Sequence, residues 1–169
     1  KRLLSINPRA NIRVINEFVT HDNVEKLIER HDIAINALDF KSDIPFVFDK
    51  ICSEKNITVL HPYNFGWAGF LAVVDPDGKP LQGLSGKPLG FELKVAEYVL
   101  GYQAFWMQPQ EWLEKVVKQY QREDGTLPPP QLSVASWITA GLCTHAMFNI
   151  ATGKDVKKFP KFYLSSLLL

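Results

Sequence analysis

"HDIAINALDFKSD", residues 31–43, decides the fold. A short apolar run over residues 33–37 leads to a carboxylate at Asp39. Ser42 or Asp43 then stands ready to cap a helix with Pro45 in its first turn. Ile44, Val47, Phe48, Ile51 and Cys52 follow at the spacing of one helical face. A second apolar strand, "ITVL" at 57–60, completes a strand–helix–strand unit.

The same alternation continues upstream. "NIRVINEF" (11–18) reads as a strand. "HDNVEKLIER" (21–30) reads as a short helix, with Asp22 as N-cap, Glu25 at capping-box spacing and a stripe of Val24, Leu27 and Ile28. Leu3, Leu4 and Ile6 make a helical face that Pro8 stops. The order strand, helix, strand, helix, strand predicts an α/β domain with a mostly parallel sheet. "DIAINALD", residues 32–39, apolar on both faces, suits a strand covered on both sides.

Downstream the pattern changes. Gly66 and Gly69 precede an apolar strand over 70–74, and Asp77-Gly78 marks a turn. Residues 79–90 read as a mobile loop. Leu93, Ala96, Val99 and Leu100 form a helical stripe. Pro109 opens a helix whose face is Trp112, Leu113, Val116, Val117 and Tyr120. Residues 122–130 read as a loop. Residues 133–153 form a helix capped by Ser133 and ended by Gly153, apolar nearly all round and so expected to be buried. Ala140 and Gly141 would let a neighbouring backbone come close. "KFPKFYLSSL" holds a last short strand. A single domain over 1–169 accommodates all of this.

Composition narrows the function classes. The chain is 46% apolar and 22% charged, with a net charge of +1. No bulk field favours nucleic acid or an anionic membrane, so neither is expected as a partner. No apolar run is long enough to span a bilayer. Two separated cysteines, Cys52 and Cys143, exclude a cysteine-built zinc site and a disulfide scaffold, and point to a reducing, cytoplasmic setting. Cys52 falls on the helical face and reads as core. Cys143 and His145 lie two apart on different helix faces, out of catalytic reach of each other. Lys157, Lys158 and Lys161 read as a solvated basic loop, and His21 and His31 as solvated residues flanking a surface helix. "GLSGKPLG" fails as a phosphate loop, because Leu81 and Pro88 occupy positions that need Gly and Ser or Thr.

Chemistry is expected beyond the carboxyl ends of the parallel strands, where open α/β sheets bind ligands. Asp39 lies at one such end, and His61 and Asn64 follow the next strand. A carboxylate there can hold magnesium while the metal neutralises a nucleotide's phosphates. Equally, Asp39 can cap its turn, Asn64 and Gly66 can shape another, and His61, before Pro62, can be structural.

The order of segments resembles the ThiF/MoeB/HesA family of adenylyltransferases related to ubiquitin-activating enzymes. "LLSINPRANIRVINEFV" is similar to the family's helix, Asn-Pro pair and strand. "HDIAINALDF" resembles its strand ending in an acid, and "ITVLHPYNFGWAGFLAVVDP" its next strand and the Gly-x-x-Gly after it. "LSVASWITAGLCTHAMFNIATGK" and "FPKFYLSSL" resemble its late helix and following strand. The resemblance implies a Rossmann-like sheet with an antiparallel extension and C-terminal helices. It also implies ATP and Mg2+ as cofactors and adenylation of the C-terminal Gly of a small ubiquitin-like or sulfur-carrier protein; the family's paired zinc cysteines are absent here, so no zinc is expected. By position in the family Asp39 would serve as catalytic, phosphate-binding and metal residue; His61 and Asn64 are expected to face substrate only from their place after the next strand. A homodimer is expected.

The chain departs from the pattern at Phe40, where the family has Asn, and at Ile44, near its usual Arg. The family's glycine-rich loop lies upstream of residue 1, so the chain is expected to be the C-terminal part of a larger domain, inactive by itself. A non-catalytic interaction module is the alternative. A nicotinamide-dependent dehydrogenase of similar topology is a weaker one.

Overall fold

The computed structural model describes residues 2–123 and 131–168. Its sheet has four strands: β1 (Ile33–Ile35), β2 (Thr58–Asn64), β3 (Ala68–Val74) and β4 (Tyr163–Ser166), side by side in that order. β1 and β2 run parallel, in register from Ile33↔Thr58 to Ile35↔Leu60. β2–β3 and β3–β4 are antiparallel. The helices are α1 (Arg2–Ile6), α2 (Val24–Leu27), α3 (Ile44–Glu54), α4 (Phe91–Phe105), α5 (Glu111–Arg122) and α6 (Ser133–Ala151). This is a mixed α/β domain, compatible with a Rossmann-like sheet that carries an antiparallel extension.

Strand alternation sorts the core into layers, because successive side chains point to opposite faces. Leu60, Leu71 and Val73 pack against Cys143 and Ala146 of α6. On the other face, Val59 meets Val24 and Ile28 beside α2 and Phe48 and Cys52 of α3. Further along that face, Phe70 and Ala72 meet Phe46, Phe91, Val95, Val99, Leu113 and Val117. Three layers result: α6, the sheet, then α2–α5.

Several expectations are corrected. Residues 11–18 form no strand. Val14 is 85% and Phe18 92% exposed, with no strand of the described residues alongside to pair with them. The parallel part is therefore one strand pair. β1 stops at Ile35, itself 42% exposed, so this strand is not covered on both sides. Asn23, not Asp22, stands at the start of α2. Its Oδ1 accepts from the Thr20 amide at 2.8 Å and its Nδ2 donates to the Phe18 carbonyl. Glu25 pairs instead with Lys55, at 2.9 Å. The stretch 79–90 contains a 3-10 turn (Leu81–Leu84) whose Leu81 is fully buried. Val116 on α5 is exposed. Leu132 rather than Ser133 holds the cap position of α6. That helix is buried on one side only, since Trp137 and Phe148 face outward. The expected loop at 122–130 lies mostly outside the described residues.

Ala140 and Gly141 do not provide the close approach. A Cβ on Gly141 would meet nothing within 4 Å. Gly69 of β3 provides it: a Cβ there would stand 2.7 Å from Thr139 Oγ1 and 2.8 Å from Ile138 Cγ2. Glycine lets α6 lie directly on the sheet at this point.

Candidate functional site

After β1 the backbone turns outward through residues 37–43 and enters α3. Two side chains decide how this rim loop sits. Phe40 turns inward and is 7% exposed, packed against Phe46 (centroids 5.4 Å), Phe91 (4.5 Å) and, stacked, Tyr63 (6.5 Å). Such ring pairs anchor a loop through buried area and edge geometry. Its neighbours Asp39 and Lys41 point to solvent. Lys41 Nζ stands 3.5 Å from Asp39 Oδ2, an exposed pair of small energetic weight.

The second anchor is Asn36, 5% exposed. Its amide nitrogen extends the sheet to the Leu60 carbonyl. Its Oδ1 accepts from the Leu38 amide at 3.3 Å. Its Nδ2 donates to the Pro45 carbonyl at 2.9 Å and to Asp49 Oδ1 at 2.7 Å. One side chain thus holds both ends of the loop.

Asp39 and Asn64 border one cavity of about 1250 Å³ at the ends of β1 and β2. Leu93 and Ala96 of α4, Leu113 and Val117 of α5, and Thr139 and Cys143 of α6 also line it. Its wall is mainly apolar, and among the described residues its charged ones are Asp39, Lys41 and Glu92. Its size exceeds what one small ligand needs.

Asn64 reaches this cavity with its side chain already committed. Nδ2 donates to the Leu132 carbonyl at 3.0 Å and to Ser136 Oγ at 2.9 Å, and Oδ1 accepts from the Gly66 amide at 2.9 Å. Gly66 has φ +75°, which its lack of a side chain permits. Asn64 therefore ties β2 to the start of α6.

The structure does not bring His61 to the rim. The strand runs on to Asn64, so His61 falls inside β2 and is 1% exposed beneath α3. Its Nε2 lies 3.4 Å from Asp49 Oδ2, and neither ring nitrogen finds a hydrogen-bond partner among the described residues. The contact has ion-pair distance without ion-pair charges. Burial pushes the Asp49 carboxyl up to about 7, against the lowering effect of the Asn36 hydrogen bond. Burial also brings the His61 imidazole down to about 3. Together the two groups hold one proton from acid to near-neutral pH, carried by the carboxyl.

Sequence reasoning missed Lys41, Asn36 and Asp49. Lys41 had a readable signal in its position two residues beyond the rim acid. Asn36 and Asp49 had none, because a buried side-chain hydrogen bond from the end of a strand to a helix has no sequence spacing of its own. Cys52 is fully buried, as its helical position indicated, and its thiol is pushed up to about 12 by burial and then by Asp49. His145 faces Asn149 at 3.0 Å rather than Cys143.

Among the described residues no group of three or more His, Cys, Asp or Glu side chains gathers to hold a metal ion, and no helix is long and apolar enough to cross a membrane. No curated protein and no solved structure matches the chain. The ThiF family model matches residues 1–164. This match spans nearly the whole chain and takes in the rim loop, both rim strands and the late helix: the chain belongs to the ThiF family.

Proposed function

We propose that the chain is part of an ATP-dependent adenylyltransferase that activates the C-terminal carboxylate of a small ubiquitin-like or sulfur-carrier protein. The observation that carries this reading is Asp39, exposed on the rim loop of a ThiF-family chain beside a large, mainly apolar cavity.

In the reaction a carboxylate oxygen of the acceptor bonds to the α-phosphorus of ATP. The bond from that phosphorus to the bridging oxygen of the β-phosphate breaks, and pyrophosphate leaves with the electron pair. Two anions must meet, so charge has to be offset where they react. Asp39 fits magnesium, which accepts one or two carboxylates and keeps water and phosphate oxygens for its other positions. Bound there, magnesium would offset the phosphate charge. Lys41, within 3.5 Å of Asp39, holds a positive charge at the same rim. The apolar wall from α4, α5 and α6 suits an extended chain end and excludes water from it. The cavity volume leaves room for that chain end beside a nucleotide.

The chain contains no strand followed by Gly-x-Gly-x-x-Gly. Residues 1–169 alone are therefore expected to bind ATP weakly and to catalyse no adenylation. ATP–pyrophosphate exchange with a glycine-ending acceptor tests both statements. Exchange is expected from the longer protein carrying the glycine loop and not from these residues alone. Robust exchange by the isolated chain, or none by the longer protein with any such acceptor, would overturn the reading.

A second reading is a degenerate family member that binds a protein partner without catalysis. The burial of Phe40, where the family has a polar Asn, favours it. Under either reading we expect a homodimer and a cytoplasmic setting. The outward Trp137 and Phe148 of α6 support the dimer.

A further inference from the structure

We propose that Asn36 and Asp49 are positioning residues for Asp39, forming a buried clamp on the rim loop whose grip depends on the charge of the Asp49 carboxyl. The proposal rests on the adenylation reading for its consequence and on hydrogen-bond geometry for its substance.

The loop between β1 and α3 carries Asp39 and Lys41 with both side chains solvated. Among the described residues their side chains have only their own exposed ion pair to hold them. Their placement therefore depends on what holds the backbone on either side. Phe40 anchors the middle. Asn36 holds the two ends together: Leu38 on the strand side, Pro45 and Asp49 on the helix side. A buried amide with all its hydrogen-bonding groups engaged is costly to displace, since each orphaned group would lose its partner without gaining water.

Asp49 makes the clamp responsive. Its Oδ1 accepts from Asn36 and its Oδ2 faces His61. Ionised, the carboxylate accepts a charge-assisted bond, shorter and stronger than a neutral one. Protonated, it holds Asn36 less firmly. The groups that face the pair are few. From α3 itself comes the Cys52 thiol, and from β1 the Asn36 amide. From β2 come His61 and Tyr63. Glu92 of α4 acts on Tyr63. Neither the His61 nitrogens nor the Tyr63 hydroxyl has a hydrogen-bond partner among the described residues.

Amide hydrogen exchange on the whole chain, corrected for intrinsic rates and read by segment, tests this without any nucleotide. A failure of the adenylation reading would leave the outcome unchanged. Asn36→Ala is expected to speed exchange across residues 37–43 by about tenfold or more while β3 stays at its wild-type rate. Asp49→Asn keeps a side-chain acceptor for Asn36, so its loop should exchange within about twofold of wild type below neutral pH. In wild type the loop should become better protected as pH rises through about 7, and in Asp49→Asn that response should vanish. Unchanged loop exchange in Asn36→Ala overturns the proposal, as does an equal rise in every segment. A pH response that survives Asp49→Asn overturns the proton-linked part.

Discussion

The ring of Phe40 lies 4.5 Å from the ring of Phe91, so the residue next to the rim acid is anchored on the first turn of α4. This contact turns Asp39 and Lys41 outward as its flanking neighbours. Phe40→Ala would remove a nearly buried ring from a cluster with Phe46 and Tyr63. The expected loss is about 3–5 kcal/mol in urea unfolding, by transfer and cavity effects together. A loss below about 1 kcal/mol would mean that the loop does not depend on this anchor.

Asp39→Asn should behave in the opposite way. Its side chain is 78% exposed, and among the described residues its ion-pair partner is the still more solvated Lys41. Stability should stay within about 0.5 kcal/mol of wild type, measured by the same unfolding curve. A large loss would show that the acid serves the fold.

Gly69→Ala probes how α6 lies on the sheet. The added Cβ would meet the Thr139 amide at 2.8 Å and its hydroxyl at 2.7 Å, and that hydroxyl donates to the Tyr63 carbonyl. Backbone has to move, at an expected cost of about 1–3 kcal/mol. Gly141→Ala, open on all sides, should be neutral or slightly stabilising in mid-helix.

Asp49 and His61 make a prediction about pH through compensation. A carboxyl raised from 3.8 to about 7 favours folding at low pH, and this is lost as pH rises towards 7. An imidazole lowered from 6.5 to about 3 does the reverse: its contribution is lost as pH falls below 6.5. Between about pH 4 and 6.5 the folded pair holds one proton, on Asp49, and the unfolded pair also holds one, on His61. Their joint slope is therefore near zero. Asp49→Asn removes one side of the balance. Relative to wild type, the variant should lose stability as pH drops from 6.5, by up to about 1.4 kcal/mol per unit. Parallel stability curves for the two proteins would contradict the assignment of the proton.

The sequence carried the strand–helix–strand unit because its signals are local. The helical face from Ile44 to Cys52 and the apolar run of 57–60 each announce their own period. Residues 11–18 carry the same kind of signal and form no strand, since a strand needs a neighbour as well as a pattern. The outer side of α6 misled for a related reason: an apolar helix face is covered only where the fold brings something to it. At the site, the rim position of Asp39 was legible from the end of an apolar run. His61 was misplaced because β2 extends through Pro62 to Asn64, which puts the imidazole under α3. The clamp was illegible because the bond from Asn36 to Asp49 depends on tertiary placement alone.

The most direct measurement for the role of Asp39 is ATP–pyrophosphate exchange by the longer protein with and without Asp39→Asn, each with an acceptor ending in glycine. The account predicts a loss of about a hundredfold or more, with unfolding curves superimposed. Exchange by the variant at the wild-type rate would contradict it.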